Sequence, residues 1–88
     1  MIVVVGHLLV DAEHRDRAVE LSRSAVLAAR STAGCIDFAL GADTVDPAGI
    51  NVCERWSDRD ALDRFRGSGP GGELGDLIHE VVVEEYEV

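Results

Sequence analysis

Aromatic side chains are scarce in this 88-residue sequence: one Trp, one Tyr and two Phe. A core without them must be assembled from Val, Leu, Ile and Ala, each burying less apolar surface than a ring. A chain this short buries only about 60–65% of the surface it exposes when unfolded. Such a thin core gains from further burial against a second chain or a ligand, so a homodimer is the expected assembly. Positive charge is also in short supply. Eight basic residues against 17 acidic ones give a net charge of −9, and a surface of that sign repels phosphate backbones and anionic lipid heads. No nucleic acid and no membrane surface is therefore expected as a partner. The apolar run at the N-terminus ends at Asp11 and has no basic leader, so it reads as neither a secretion signal nor a transmembrane span, and a cytoplasmic location is expected. The only two cysteines, Cys35 and Cys53, lack metal or redox spacing and read as buried thiols acting as small apolar side chains.

What the sequence does contain is a regular succession of elements. Residues 2–10, Ile-Val-Val-Val-Gly-His-Leu-Leu-Val, are β-branched and nearly continuous in apolarity, as in a strand covered on both faces. Asp11 is placed to cap a helix, in which Ala18, Val19, Leu21, Ser22, Ala25, Val26, Ala28 and Ala29 share one broad face. Arg17, Glu20, Arg23 and Arg30 take the other face, with Leu27 exposed among them, and Gly34 stops the helix. The inner face is mostly Ala and Ser. It either packs very close to a sheet, the commoner outcome for a thin helix, or leaves a gap that a small molecule fills. Residues 35–42 and 50–56 predict two strands joined by the Asp, Pro and Gly of residues 43–49, a hairpin loop. Ser57, with Asp60 three residues on, has the form of a capping box for a second helix carrying Ala61, Leu62 and Phe65 inward. That helix ends in Gly67-Ser68-Gly69-Pro70-Gly71-Gly72. A short helical piece from Glu73 to about Glu80 brings in Leu74, Leu77 and Ile78, and residues 81–88 close as a last strand whose acidic residues mark a solvated edge.

The order strand, helix, strand, strand, helix, strand is the split βαβ of an α+β, ferredoxin-like fold: one domain over residues 1–88, a four-stranded antiparallel sheet with helices on one face. Those helices cover one side only, yet the first strand and Val81–Val83 are apolar on both. A twin sheet from a second copy is the simplest cover for the far side.

Two segments carry a family resemblance: Ala33-Gly34-Cys35-Ile36-Asp37-Phe38 entering the second strand, and Val52-Cys53-Glu54-Arg55-Trp56-Ser57-Asp58 leaving the third into Ala61-Leu62. With the element order they resemble the antibiotic biosynthesis monooxygenase domain family, and the resemblance spans essentially the whole chain. It implies a dimeric α+β barrel in which a small aromatic, quinol-like metabolite is oxidised by dioxygen with no metal and no flavin cofactor. Heme degradation, known among relatives, is demoted: the family often has a His where Phe65 stands and another just after it, where this chain has the Gly67–Gly72 loop. The resemblance matches Trp56 to the family's Trp at the end of the third strand, a cavity-lining position in heme-degrading relatives, and places His7 near a polar residue that orients oxygen there.

Such an oxidation needs the substrate held dry, deprotonated and its anion stabilised. Alternation puts Ile50, Val52, Glu54 and Trp56 on one side of the third strand and Asn51, Cys53 and Arg55 on the other. His7, Trp56 and Asn51 are the candidate catalytic residues: His7 as base, because its ordinary pKa lies near neutrality, Trp56 against an aromatic ring, and Asn51 toward the anion. Phe38, Glu54, Arg55 and Phe65 are the candidate substrate contacts. Uniting Asn51 and Arg55 with Trp56 requires a bulge. A bland account stands beside each of these: His7 as an interface histidine, Trp56 as core, Glu54 in a structural ion pair. No metal site is expected, since Glu13, His14 and Asp16 suit the start of a helix and lack a completing cluster. The formal G-x-G-x-x-G of residues 67–72 follows a helix, not a strand, and reads as a loop. The alternative function is a non-catalytic dimeric module that binds a small apolar ligand or stabilises a partner.

Overall fold

A computed structural model describes residues 1–67 and 72–88. The N-terminal strand is β1 (Ile2–Val10), followed by a 3-10 turn (Ala12–His14) and α1 (Arg15–Arg30). Strands β2 (Cys35–Ala42) and β3 (Gly49–Trp56) form the hairpin, then come α2 (Arg59–Gly67), α3 (Gly72–Leu77) and β4 (Ile78–Glu87). The sheet is antiparallel in the order β2-β3-β1-β4, the ferredoxin-like arrangement expected from the element order. The Gly-rich stretch of residues 68–71 lies outside the described residues.

Local chemistry shifts several boundaries. Asp11 makes no side-chain cap; its carboxylate lies 3.0 Å from His79 Nε2 on β4, and α1 starts only at Arg15, after the 3-10 turn. The helix ends at Arg30 with Ser31 as its C-cap. Gly34, at φ +90°, is the turn into β2, where an added Cβ would sit 2.4 Å from that of Ala61. Ser57 does not cap α2, because its amide donates to the Gly34 carbonyl (2.8 Å) and so prolongs the strand. Asp58 is the cap: its Oδ1 accepts the Ala61 amide at 2.8 Å. The hairpin loop is organised by Asp43, whose Oδ1 accepts the amides of Val45 and Asp46, and is clamped to the start of α1 by Arg15, which donates to the carbonyls of Asp43 and Asp46. The last strand begins at Ile78, earlier than the expected 81, and ends the short helix with it.

Antiparallel pairing sets Ile2 opposite Trp56, and Val4 opposite both Glu54 and Glu85, so the even-numbered residues of β1 and β3 share a face. That face lies under the helices and holds the core: Ile2, Val4, Leu8, Ile50, Val52, Trp56 and Phe38, closed by Ala18, Ala29, Ala61, Leu62 and Leu74. The opposite face carries Val3, Val5, His7 and Leu9, all half-buried, with Val82 and Tyr86 41% and 49% exposed on β4. Cys53 is exposed on this open face and only Cys35 is partly buried, which corrects the expectation of two buried thiols. Leu27 is exposed as expected. No helix among the described residues is long and apolar enough to cross a membrane.

Candidate active site

Between the sheet and α1 lies a cavity of about 460 Å³. Its floor consists of rows of paired residues running across the strands. One row is Phe38, Glu54 and Val4, continued outside the lining by Glu85; the next is Leu40, Val52, Gly6 and Val83. Gly6 contributes no side chain among lining neighbours Val4, Leu8, Val52 and Val83, which leaves the floor deep at its centre. The roof is formed by Ala25 and Ala28 of α1 with Thr32 just beyond its end, and α2 closes one end with Phe65 and Arg66. The small-residue inner face of α1 therefore does both things: Ala18, Ser22 and Ala29 pack closely and are buried, while Ala25 and Ala28 leave a gap that opens onto the cavity.

Polar groups on the cavity wall gather at one end. Glu54 and Arg66 both line it. Glu54 Oε1 accepts the Trp56 indole N–H at 2.9 Å. Burial pushes the Glu54 carboxyl above the usual range, and the indole bond and the nearby Arg66 only partly oppose this, while Glu85 adds to the rise. Arg66 Nη1 and Arg59 Nη1 each lie 2.9 Å from Glu85 Oε1, so two guanidinium groups of α2 converge on one carboxylate oxygen of β4. That pairing holds Glu85 below its ordinary pKa. Behind the wall, Trp56, Phe38 and Phe65 form an aromatic triad with centroids 5.2–6.3 Å apart, contacts worth about 0.5–1.5 kcal/mol each beyond area burial. The site is a partly open, mostly apolar pocket in which a half-buried carboxylate and a guanidinium lie near one another.

The antibiotic biosynthesis monooxygenase family model matches residues 1–71. The chain belongs to that family. The match ends before α3 and β4, the elements that supply Leu74, Ile78, Val81 and Val83 to the cavity. No curated protein matches the sequence. Among solved structures, one described as an antibiotic biosynthesis monooxygenase is 23% identical, covers 100% of this chain and 98% of its own, and superposes with a TM-score of 0.81. Rv0793 from Mycobacterium tuberculosis is 20% identical over 99% of this chain and 93% of its own, with a TM-score of 0.78. A conserved protein from Methanosarcina mazei is 20% identical over 97% and 89%, with a TM-score of 0.79. At these identities the likeness is one of fold.

Within this family member the expected site residues separate. Phe38, Glu54 and Phe65 line the cavity. Trp56 is fully buried, at 0% exposure, and stands behind the wall, joined to the cavity through Glu54 and the two Phe rings. His7, Asn51 and Arg55 are on the open face: His7 pairs with Asn51, and Arg55 lies 3.5 Å from Asp37. The β1–β3 register runs without a break from Ile2 to Leu9, so no bulge in that pairing brings Asn51 and Arg55 round to Trp56; the irregularities are in β2, between Cys35 and Asp37, and between Leu9 and Val10 against β4. Grouping His7 with Trp56 round one cavity is thus corrected. Arg66 was missed. Its signal was available, since it directly follows Phe65, a candidate substrate contact, in the last turn of α2. On the surface, ligand atoms of Asp11, Glu13 and His14 lie within 4.8 Å of one another, all three exposed.

Proposed function

We propose that this protein is a cofactor-independent monooxygenase that oxidises a small aromatic, quinol-like metabolite with dioxygen inside the helix-side cavity. The observation that carries this reading is the chamber of about 460 Å³ whose wall is mostly apolar and includes one carboxylate and one guanidinium. Family membership supports a monooxygenase-like or small-molecule-binding role. For an anthrone-type substrate, deprotonation gives an electron-rich anion that dioxygen attacks at the activated ring carbon; one oxygen atom stays as the new carbonyl and the other leaves as water, so the methylene loses two hydrogens and dioxygen takes up four electrons. The chamber would exclude water from that anion and Arg66 would lie near its charge. We further propose that two copies pack their open sheet faces together, covering Val3, Val5, His7, Leu9, Val82 and Tyr86, and that the protein works in the cytoplasm, where the exposed Cys53 stays reduced.

A second reading, a non-catalytic module holding a small apolar ligand, is favoured by one observation: His7 and Asn51, the expected base and anion contact, lie on the far side of the sheet from the cavity. Oxygen uptake on incubation with a panel of quinols and anthrones under air separates the two. Uptake above buffer is expected; its absence across the panel leaves the binding module. A heme titration is expected to show no Soret shift, and a saturable shift would restore the heme-degrading alternative.

A further inference from the structure

The residue at the polar end of the cavity is placed for a more specific task than lining it. Glu54 lies in the middle of the sheet, flanked by Val4 on one neighbouring strand and Phe38 on the other, and it faces the chamber. Its Oε1 is occupied by the Trp56 indole at 2.9 Å. Among the described residues no donor reaches Oε2, which leaves that oxygen to a ligand. Around Glu54, α2 presents Arg66, β4 presents Glu85, and β2 presents Cys35 close enough for the Glu54 charge to help raise the thiol's pKa. Trp56 itself is sealed from the cavity, and Phe38 and Phe65 pack on its ring, so the indole N–H is held in one direction.

We infer that Glu54 is the group that receives the hydroxyl proton of the bound ligand and that Trp56 is its positioning residue, acting only through Glu54. In this step the ligand O–H bond breaks, its electron pair stays on the ligand oxygen, and the proton bonds to Glu54 Oε2. The new anion faces Arg66, while Arg59 keeps Glu85 paired. The proton returns to water when product leaves. This inference rests on the cavity being the ligand site. Burial supports it, because a carboxylate lifted above its usual pKa is a stronger base toward a phenol than an exposed one.

The experiment compares binding of 2-naphthol with that of naphthalene, which has the same rings without the hydroxyl, by fluorescence titration. Wild type is expected to prefer the naphthol, and Glu54→Gln to lose that preference by about tenfold or more, the usual scale for a hydrogen bond to a charged group, with naphthalene binding unchanged. Glu54→Asp is expected to restore part of it, which excludes a folding defect. A preference that survives in Glu54→Gln overturns the inference, and so does failure of wild type to bind either compound. Loss of the preference in a protein that consumes no oxygen removes the oxidation reading and supports Glu54 as the proton-accepting anchor. The positioning role is read from the Glu54 carboxyl titration followed by carbon-13 NMR. Because the indole bond lowers the Glu54 pKa, Trp56→Phe is expected to move the midpoint upward; an unmoved midpoint overturns that part.

Discussion

The two faces of one sheet are built from the same four strands and differ completely in how they are covered. Under the helices, Ile2, Val4, Ile50 and Trp56 are almost wholly buried, and Val4, Val52 and Glu54 face a chamber; on the other side of the same strands, Val3, Val5, Cys53 and Arg55 are half-buried or exposed. The helix side is covered by helices of the same chain. The open side has an apolar central strand and nothing over it in the described chain, with polar Arg55, Asp37, Glu84 and Glu80 at its margins. The alternation of the backbone thus separates the residues that face the cavity from those that remain uncovered, and each set is open to change without the other.

The largest expected effect comes from the residue that serves both faces at once. Gly6 has φ +154°, and a Cβ there would fall 2.0 Å from the backbone oxygen of Val82, so Gly6→Val must part β1 from β4. A loss on the order of 5 kcal/mol is expected, seen as absence of a cooperative urea transition; a normal transition would show that the strands are not so tightly apposed. Trp56→Ala attacks the helix side only and is expected to cost about 3–5 kcal/mol, whereas Tyr86→Ala on the open side should change the stability of the isolated chain by less than about 1 kcal/mol. Equal costs would erase the contrast between the faces. Val82→Asp sharpens it from the other direction. Sedimentation at micromolar concentration is expected to change from dimer to monomer with circular dichroism intact, and an unchanged sedimentation coefficient would refute pairing through this face.

The smallest effect is a pH dependence confined to the chamber. Glu54 has a raised pKa in the folded state, so folding binds its proton more tightly than the unfolded chain does. Its favourable contribution is complete below the ordinary carboxylate pKa of 4.5 and is lost as pH rises through the folded-state value. Glu85 and Glu73, lowered by Arg59 and Arg17 respectively, act oppositely, losing their contribution as pH falls. Stability of wild type minus that of Glu54→Gln is expected to decline with rising pH over the window above 4.5; a flat difference would place Glu54 in ordinary solvent.

Much of this arrangement was legible beforehand. The β-branched run of residues 2–10 and the Asp, Pro and Gly of residues 43–49 placed β1 and the hairpin within one residue of their observed bounds, because period-two patterning and turn chemistry are local. Alternation also joined Glu54 to Trp56 correctly. What it could not supply was the register between β1 and β3. The observed pairing sets 2 opposite 56, so even residues face even; a slip by one would have put His7 on the same face as Trp56. That long-range choice alone moved His7, Asn51 and Arg55 out of the site. The Ser57 cap failed for a similar reason, since its amide had a partner on Gly34, a residue 23 positions away. The cavity was hinted at by the alanines of α1, but Val81, Val83, Ile78 and Leu74 join it through tertiary packing that no local pattern records.

The roof of the chamber ends in the methyl groups of Ala25 and Ala28, one helical turn apart. Headroom above the floor is consequently an adjustable dimension: a longer side chain at either position would shrink the guest this protein admits while every strand, every ion pair and the whole opposite face stayed where they are. Two codons on one helix are enough to re-size the guest list of the scaffold.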